Sequence, residues 1–349
     1  MYCNLTLHIV NSVPWSNLNR DDTGTPKRLT HGGVLRGQLS SQSIKRAART
    51  DYETKSLNTS VRSGNLAQLV AERAHELNPS GDEKAYLREG RNLIGKLTKE
   101  AAEEKEAGRS AWLSSEEIEA AALRIAGDTG DAFVTAGRTG SLAIAAFGRM
   151  FANDPDKGTE AAVSVSPAVS THKAMIETDY FSTVDDRPGE DQGKGATFLG
   201  ISQFINGVFY RTVTIDKDQL RKSWSGIERD DARSNLELMV NALIYKLPRG
   251  KAHGTAPYVM PAVVLCEEQA YRMAYDIETP VTLTDGNGGY LAPTAAMLAA
   301  QRAAANRFDP DNFGPATAIA GTAEGLDQFG VPVTNRKGLV DLVVDWILQ

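Results

Sequence analysis

The sequence predicts an α+β fold, and three observations lead to this class. A strand pattern occupies residues 2–10 and is followed by a loop and a helix. A block of helical patterns then fills residues 57–147, and strand patterns return after it. Segregated strands and helices are typical of α+β folds. The 349 residues fit two domains or one domain with a large insertion, because single cores rarely grow beyond about 250–300 residues.

The first strand alternates in hydrophobicity. Leu5, Leu7 and Ile9 fall on one face, whereas Thr6 and His8 fall on the other. This pattern predicts a half-buried strand with His8 on its exposed side. The order of strand, long loop and helix is how a ferredoxin-like or RRM-like unit begins.

The helix at residues 40–49 has a cationic stripe. At 3.6 residues per turn the stripe repeats at i, i+3, i+4 and i+7, and it consists of Gln42, Lys45, Arg46 and Arg49. The opposite face carries Ile44, Ala47 and Ala48. Ser40 and Ser41 are suited to cap the helix, whose N-terminus attracts phosphate. A solvated face of an ordinary helix gives the same stripe, so this pattern alone leaves both interpretations open.

Charge is concentrated around this helix. Residues 19–49 hold two aspartates, whereas the whole chain has a net charge of −6. The same window holds seven cations, which are Arg20, Lys27, Arg28, Arg36, Lys45, Arg46 and Arg49. A basic window on an acidic protein confines a polyanion to one groove.

The other elements are predicted from the spacing of apolar residues and from the capping and turn residues that end each element. Helices are predicted at residues 66–77, from residue 114 onwards, and at 131–150, 232–247 and 339–346. The second of these helices begins with a capping box formed by Ser114 and Glu117. Strands are predicted at residues 161–170, 201–215 with a turn at Asn206 and Gly207, and 258–265. A loop is predicted at 185–195, and the acidic run at 100–106 fits a solvated helix face.

The composition indicates the cellular compartment of the protein and the kinds of site it can form. Cys3 and Cys266 are the only cysteines, so we expect a reducing, cytoplasmic environment without targeting or a structural zinc site. No apolar run approaches the roughly 18 residues of a membrane span, and no membrane partner is expected. The five scattered histidines have no partner at ligand spacing, so we expect no metal and no cofactor.

One catalytic alternative remains open in the loop before the helix. Asp21 and Asp22 could hold Mg²⁺ for phosphodiester cleavage, because hard cations bind carboxylates. Adjacent aspartates in a loop more often form a turn. The alternative is thus a metal-dependent ribonuclease that uses Asp21 and Asp22.

Two ordered blocks of motifs carry a family resemblance. The first block is LNRDD at 18–22, GG at 32–33 and LSSQSIKRA at 39–47. The second block is GRM at 148–150, the segment 161–172, YF at 180–181 through DD at 185–186, and GVFYR at 207–211. In order and spacing these blocks resemble the CasC family, the repeated backbone subunit of the type I-E CRISPR Cascade complex.

The resemblance implies a hand-like architecture. An RRM-like (ferredoxin-like) palm would comprise residues 1–56 and 148–349, with a thumb loop or hairpin at about 172–204 and inserted helical fingers at 57–147. Several copies would stack along the guide spacer without catalysing a reaction, and the subunit would need no cofactor. The implied partners are CRISPR RNA, other copies of the chain, other Cascade subunits and target DNA reached through the guide, with sequence read by base pairing.

The resemblance also implies the RNA-binding residues. Those on the backbone of the RNA are Arg20, Lys27, Ser40, Gln42, Lys45, Arg46 and Arg49. Met150 and Phe181 would stand beside a kinked nucleotide. In an extended segment Tyr180 and Phe181 point to opposite faces, so one of them must leave the core. Basic residues in the region 84–109 are interleaved with glutamates, so direct contact of the fingers with target DNA is not expected.

Overall fold

The computed structural model describes residues 2–98, 110–127, 132–184, 196–283 and 288–349. The described residues combine a large antiparallel sheet with α-helices, which confirms the α+β class. The strands are β1 (Asn4–Ser16), β2 (Arg28–His31), β3 (Val34–Leu39), β4 (Ser60–Ser63), β5 (Ala111–Ser114), β6 (Val163–Val165), β7 (Ala168–Ser170), β8 (Ile176–Val184), β9 (Ala196–Asp216), β10 (Val263–Gln269) and β11 (Phe313–Ala320). The helices are α1 (Ser41–Lys55), α2 (Leu66–Leu77), α3 (Glu83–Gly95), α4 (Ser115–Ile125), α5 (Leu142–Phe147), α6 (Lys217–Ser223), α7 (Ala232–Tyr245), α8 (Ala252–Thr255), α9 (Leu291–Phe308) and α10 (Arg336–Leu348). The acidic run at 100–106 and the loop predicted at 185–195 lie outside the described residues.

The large antiparallel sheet is organised around β9. Its order is β11-β10-β1-β9-β7-β3-β2, and β6 and β8 also pair with β9. One edge of β9 pairs with β1 as far as Ser16 and Ile205, and the other edge pairs with β6, β7 and β8 in turn. Beyond Ile205, β9 continues with β8 as a two-stranded hairpin that extends past β1.

The turn predicted at Asn206 and Gly207 is wrong, because both residues lie inside β9. Gly207 pairs with Val13 across the sheet. A β-carbon at this position would stand 3.1 Å from Nε2 of His172. Glycine here serves the close approach of a side chain to the strand and not a reversal of the chain.

The central strand β1 is buried on both faces, so the expectation that His8 is exposed is wrong. Leu5, Leu7 and Ile9 belong to the core beneath α1, α5, α7 and α10. On the other face Val10 packs in a separate cluster with residues of α9. His8 lies on that second face, where its Nδ1 is 2.8 Å from the Tyr210 hydroxyl. The Tyr275 ring stacks on His8 with the ring centroids 4.5 Å apart, so His8 is covered by a residue far from it in the chain.

Helices α2, α3 and α4 have a core of their own. Leu66 of α2, Leu93 of α3 and Ile118 of α4 pack in a cluster with residues of β5. The predicted capping box is confirmed, because the Ser114 hydroxyl accepts from the Glu117 amide at 3.1 Å and the Glu117 carboxylate accepts from the Ser114 amide at 2.8 Å.

Two predicted elements are shorter than the sequence pattern indicated. The helix expected over residues 131–150 is limited to α5, which Ser141 caps and which ends at Gly148 with a φ of 75°. The strand expected from residue 258 begins at Val263, after a segment with prolines at positions 257 and 261. Proline has no amide to donate to a sheet, so the ladder starts only after these residues. No described helix is long and apolar enough to cross a membrane.

Candidate nucleic-acid interface

The loop before β2 carries the cations Arg20 and Lys27, and hydrogen bonds within the loop form a frame that holds its shape. The Lys27 amide donates to the Asn19 carbonyl at 2.9 Å, and a β-bridge joins Arg20 to Pro26. Inside this frame the Asp21 carboxylate accepts from the hydroxyl of Thr25 at 2.6 Å and from that of Thr23 at 2.7 Å. The Arg20 side chain is exposed, and that of Lys27 is half-buried.

Asp21 serves this frame through both carboxylate oxygens. Hydrogen bonds from Thr25 and then Thr23 lower the pKa of Asp21 to about 2. A carboxylate held in this way is a poor general base. Among the described residues no group of three or more His, Cys, Asp and Glu side chains could hold a metal ion. The geometry therefore favours the turn interpretation of this aspartate.

The loop and the start of α1 are joined by one side chain. The Ser40 amide donates to Oδ1 of Asn19 at 2.7 Å, while the Ser40 hydroxyl accepts from the Ser43 amide as the cap of the helix. Ser40 is buried, and Gln42 in the first turn is exposed. Asn19 was not predicted as a site residue, although it precedes Arg20 in the first motif block. It holds the loop cations beside the N-terminus of the helix.

Helix α1 buries one face and leaves the predicted stripe outside it. Ile44, Ala48 and Tyr52 are buried in the main core. The predicted apolar residue Ala47 is only half-buried, because it lies beside an open groove on the flank of the helix. Arg46 borders the same groove, so it lies at the edge of the stripe.

Lys45 is the most informative residue of the stripe. Its side chain is half-buried, and no hydrogen bond or ion pair joins it to any described residue. Burial lowers the pKa of Lys45 because the charged form loses hydration. A partly desolvated ammonium without a counter-charge is a favourable place for an anion.

Arg49 is already engaged with the protein. Its guanidinium lies 5.1 Å from the ring centroid of Trp112, and its Nε is 3.9 Å from a carboxylate oxygen of Glu53. Trp112 belongs to β5, so Arg49 stands where α1 meets the inserted helical unit. No sequence pattern pointed to Trp112, because the contact joins residues that are far apart in the chain.

Arg36 is not available to a ligand. It is fully buried and donates to the carbonyls of His31, Ser170, Ile277 and Glu278 at 2.7–3.2 Å. Burial lowers its pKa, and the nearby charge of Asp276 opposes this effect. One cation of the basic window therefore fastens the β2–β3 hairpin to the rest of the fold.

Met150 and Phe181 lie outside α1, on two different segments of the chain. Met150 follows α5 and has an exposed fraction of 80%, which is large for an apolar side chain. Phe181 lies on β8 opposite Gly200, where an added β-carbon would stand 2.4 Å from the phenyl ring. Tyr180 points to the other face of β8 and is also exposed, so neither aromatic residue belongs to the core.

The model of the family described as CT1975-like protein matches residues 5–343. A chain from a CRISPR RNA-guided surveillance complex in a pre-nicking state superposes with a TM-score of 0.84 at 23% identity, covering 99% of this chain and 100% of that chain. A chain from another CRISPR RNA-guided surveillance complex gives a TM-score of 0.72 at 20% identity, covering 98% of this chain and 99% of that one. No curated protein matches the sequence. At these identities the structural matches establish a shared fold.

Proposed function

The chain belongs to the CT1975-like protein family, and from this premise we propose that it is a non-catalytic scaffold that binds CRISPR RNA in a surveillance complex. Chains of such complexes share its fold over nearly their whole length. The observation that carries the proposal is Lys45, a half-buried cation without a described counter-charge beside a loop that presents Arg20 and Lys27. Membership also agrees with the CasC resemblance of the two motif blocks.

The proposed binding mode places the RNA backbone along α1 and its preceding loop. Arg20, Lys27, Gln42 and Lys45 face the phosphates, whereas the buried hydroxyl of Ser40 acts by capping the helix. Helix N-termini favour phosphate because their amides are unpaired and their dipole is positive. Met150 and Phe181, both exposed, contact a displaced nucleotide. Base–aromatic stacking is worth about 1–3 kcal/mol per base.

At the level of the assembly, copies of the chain stack along the guide and present it to target DNA. The large sheet corresponds to an RRM-like palm of residues 1–56 and 148–349, the helical unit to fingers of residues 57–147, and the β8–β9 hairpin to a thumb at about 172–204. The assembly works in the cytoplasm with the other Cascade subunits. Base pairing of the guide supplies sequence specificity, and the protein holds the backbone.

The RNA site is tested by removing the charge of Lys45. The measurement is the Kd of Lys45→Gln for a labelled single-stranded RNA at several salt concentrations. We expect weaker binding for every RNA sequence and a salt slope reduced by about one, because one phosphate contact is lost. Lys84→Gln is the matched control, since Lys84 is exposed on α3 and away from α1. Equal affinity of Lys45→Gln and wild type would contradict the site.

Assembly and the absence of catalysis need separate measurements. Sedimentation of the protein with guide RNA and partner subunits should give a species that contains several copies, and a persistent monomer would refute stacking. Incubation of the bound RNA with Mg²⁺ should leave it intact. Cleavage that disappears in Asp21→Ala would establish the ribonuclease alternative instead.

A further inference from the structure

An open groove of about 910 Å³ lies along α1 on the flank beyond the proposed phosphate stripe. One wall is α1, which contributes Arg46, Ala47 and Thr50. The other wall is the chain between α7 and β10, which contributes Arg249, Tyr258 and Met260. The second wall has no counterpart among the residues predicted from the sequence to bind RNA.

The groove carries uncompensated positive charge. Arg46 and Arg249 are exposed, and neither has an acidic partner among the described residues. The groove also contains Asp51, but Lys55 at 2.7 Å and Lys246 at 2.8 Å already neutralise this carboxylate. Two arginines are therefore free to bind an anion, and guanidinium groups match the geometry of phosphate.

The same wall exposes apolar side chains. Tyr258 has an exposed fraction of 69% and Met260 one of 66%, although each has a large surface to bury. An exposed aromatic ring beside free arginines is the combination with which proteins hold single-stranded nucleic acid, because bases stack on the ring while cations follow the backbone.

The backbone of this wall is strained. Lys251 and Ala256, on either side of α8, have φ values of 48° and 43°, which residues other than glycine rarely adopt. Contacts hold the segment in place, since Lys251 Nζ donates to the Ser202 hydroxyl at 2.6 Å and the Gly250 amide donates to the Leu18 carbonyl at 2.9 Å. Strain of this kind persists where the surrounding structure enforces it and is frequent at binding sites.

The groove continues into the loop that presents Arg20. A hollow of about 460 Å³ lined by Asn19, Arg20 and Asp21 shares Leu18 and Gly250 with the groove. At Gly250 a β-carbon would stand 2.5 Å from the Leu18 carbonyl oxygen, so only glycine allows the second wall to approach the loop that carries Leu18 and Arg20. Arg20 and Arg46 thus border two adjoining hollows.

We propose that this groove binds one nucleotide step of single-stranded RNA, with Arg46 and Arg249 on phosphates and Tyr258 stacked on a base. The inference rests on the proposed function, because its RNA is the strand that passes Arg20. Continuity with Arg20 favours RNA over a peptide as the occupant. Arg249 and Tyr258 then extend the RNA contacts to a segment more than two hundred residues after α1 begins.

The test measures binding of a labelled single-stranded RNA of mixed sequence to the full chain by fluorescence anisotropy at several salt concentrations. For Arg249→Gln we expect weaker binding and a salt slope reduced by about one. For Tyr258→Ala we expect affinity to fall by about 5- to 150-fold, the loss of one stacked base, with little change in the salt slope. The matched controls are Arg124→Gln on α4 and Tyr271→Ala, whose side chains are also exposed.

A direct readout is ultraviolet crosslinking of RNA that contains 4-thiouridine. Mass spectrometry should find the crosslink on the peptide that contains Tyr258. If Lys45→Gln weakens binding but Arg249→Gln and Tyr258→Ala bind like wild type, the groove inference is overturned and the proposed function stands. If instead these two variants lose only self-association, the occupant is a second copy and the inference is again overturned. Unchanged binding by all three variants would refute the proposed function itself.

Discussion

Lys45 is the residue at which burial and charge conflict most directly on α1. The helix needs its neighbour Ile44 in the core, and the Lys45 side chain beside it is half-buried and partly desolvated. The ammonium group receives no compensating carboxylate from the described residues. A bound phosphate would supply the missing charge, and this link between protonation and binding gives a measurable pH dependence.

We predict that RNA affinity falls as the pH rises through the lowered pKa of Lys45. Binding of phosphate favours the protonated amine, so the complex takes up a proton once Lys45 is partly neutral in the free chain. Anisotropy titrations between about pH 8 and pH 10, below the ordinary lysine pKa of about 10.4, should show this decline. Lys45→Arg should remove it, because arginine stays charged throughout. An identical pH profile for wild type and Lys45→Arg would show that Lys45 does not contact the phosphate.

At the same scale, periodicity predicted the direction of side chains around α1 but not what stands opposite them. The stripe lies outside the buried face, as its spacing indicated. The different surroundings of Arg36, which is buried against carbonyls, and Arg49, which lies over Trp112, depend on contacts across the fold. Sequence spacing cannot encode those contacts, so the count of cations near α1 included Arg36, which is fully buried.

At the scale of the element, the β2–β3 hairpin depends on two adjacent glycines with different surroundings. Gly32 has a φ of 60° and Gly33 a φ of 74°, so both positions are strained for other residues. A β-carbon on Gly32 would stand 1.8 Å from the Glu278 carbonyl oxygen, whereas one on Gly33 would meet nothing within 4 Å. Glu278 also accepts from Arg36, so Gly32 lies where the hairpin joins the segment after β10.

We predict that Gly32→Ala destabilises the protein clearly more than Gly33→Ala. Both changes carry the left-handed backbone cost of about 1–2 kcal/mol. Only Gly32→Ala also displaces the Glu278 carbonyl, and this weakens its bond with buried Arg36. Urea unfolding of the two variants gives the comparison, and Gly33→Ala is the matched control for backbone strain. Equal losses of unfolding free energy would mean that the Glu278 contact does not stabilise the hairpin.

The elements that the sequence predicted correctly are those specified locally. The capping box of α4 lies within one helical turn, and the apolar repeat of α7 runs along one helix at a spacing of three to four residues; the structure has both. The length of β9 and the burial of His8 were predicted wrongly, because both depend on partners distant in the chain. The groove wall at Arg249 and Tyr258 was also missed. Its shape depends on positive φ values at Lys251 and Ala256, and these leave no pattern in the sequence.

At the scale of the whole molecule, two hydrophobic cores meet near the exposed Met150. One core lies between the sheet and helices α1, α5, α7 and α10, and helices α2, α3 and α4 form the other. Arg149 joins them: its guanidinium donates to both carboxylate oxygens of Glu117, one of them at 2.6 Å, and to the Trp112 carbonyl at 3.2 Å. This buried pair fixes the chain immediately before the residue proposed to contact the displaced nucleotide.

We predict that Arg149→Ala lowers the free energy of unfolding by about 3–5 kcal/mol, because it leaves the Glu117 carboxylate buried without its partner. Arg229→Ala is the matched control: it breaks an exposed pair with Glu116 on the same helix and should cost less than about 1 kcal/mol. The double variant Arg149→Met with Glu117→Gln should recover part of the loss, since no charge remains buried. Hydrogen exchange should locate the effect in α2, α3 and α4 before it reaches the large sheet. If Arg149→Ala were no more destabilising than Arg229→Ala, the pair of Arg149 and Glu117 would not be what joins the two cores, and Met150 would need another support to hold its position beside RNA.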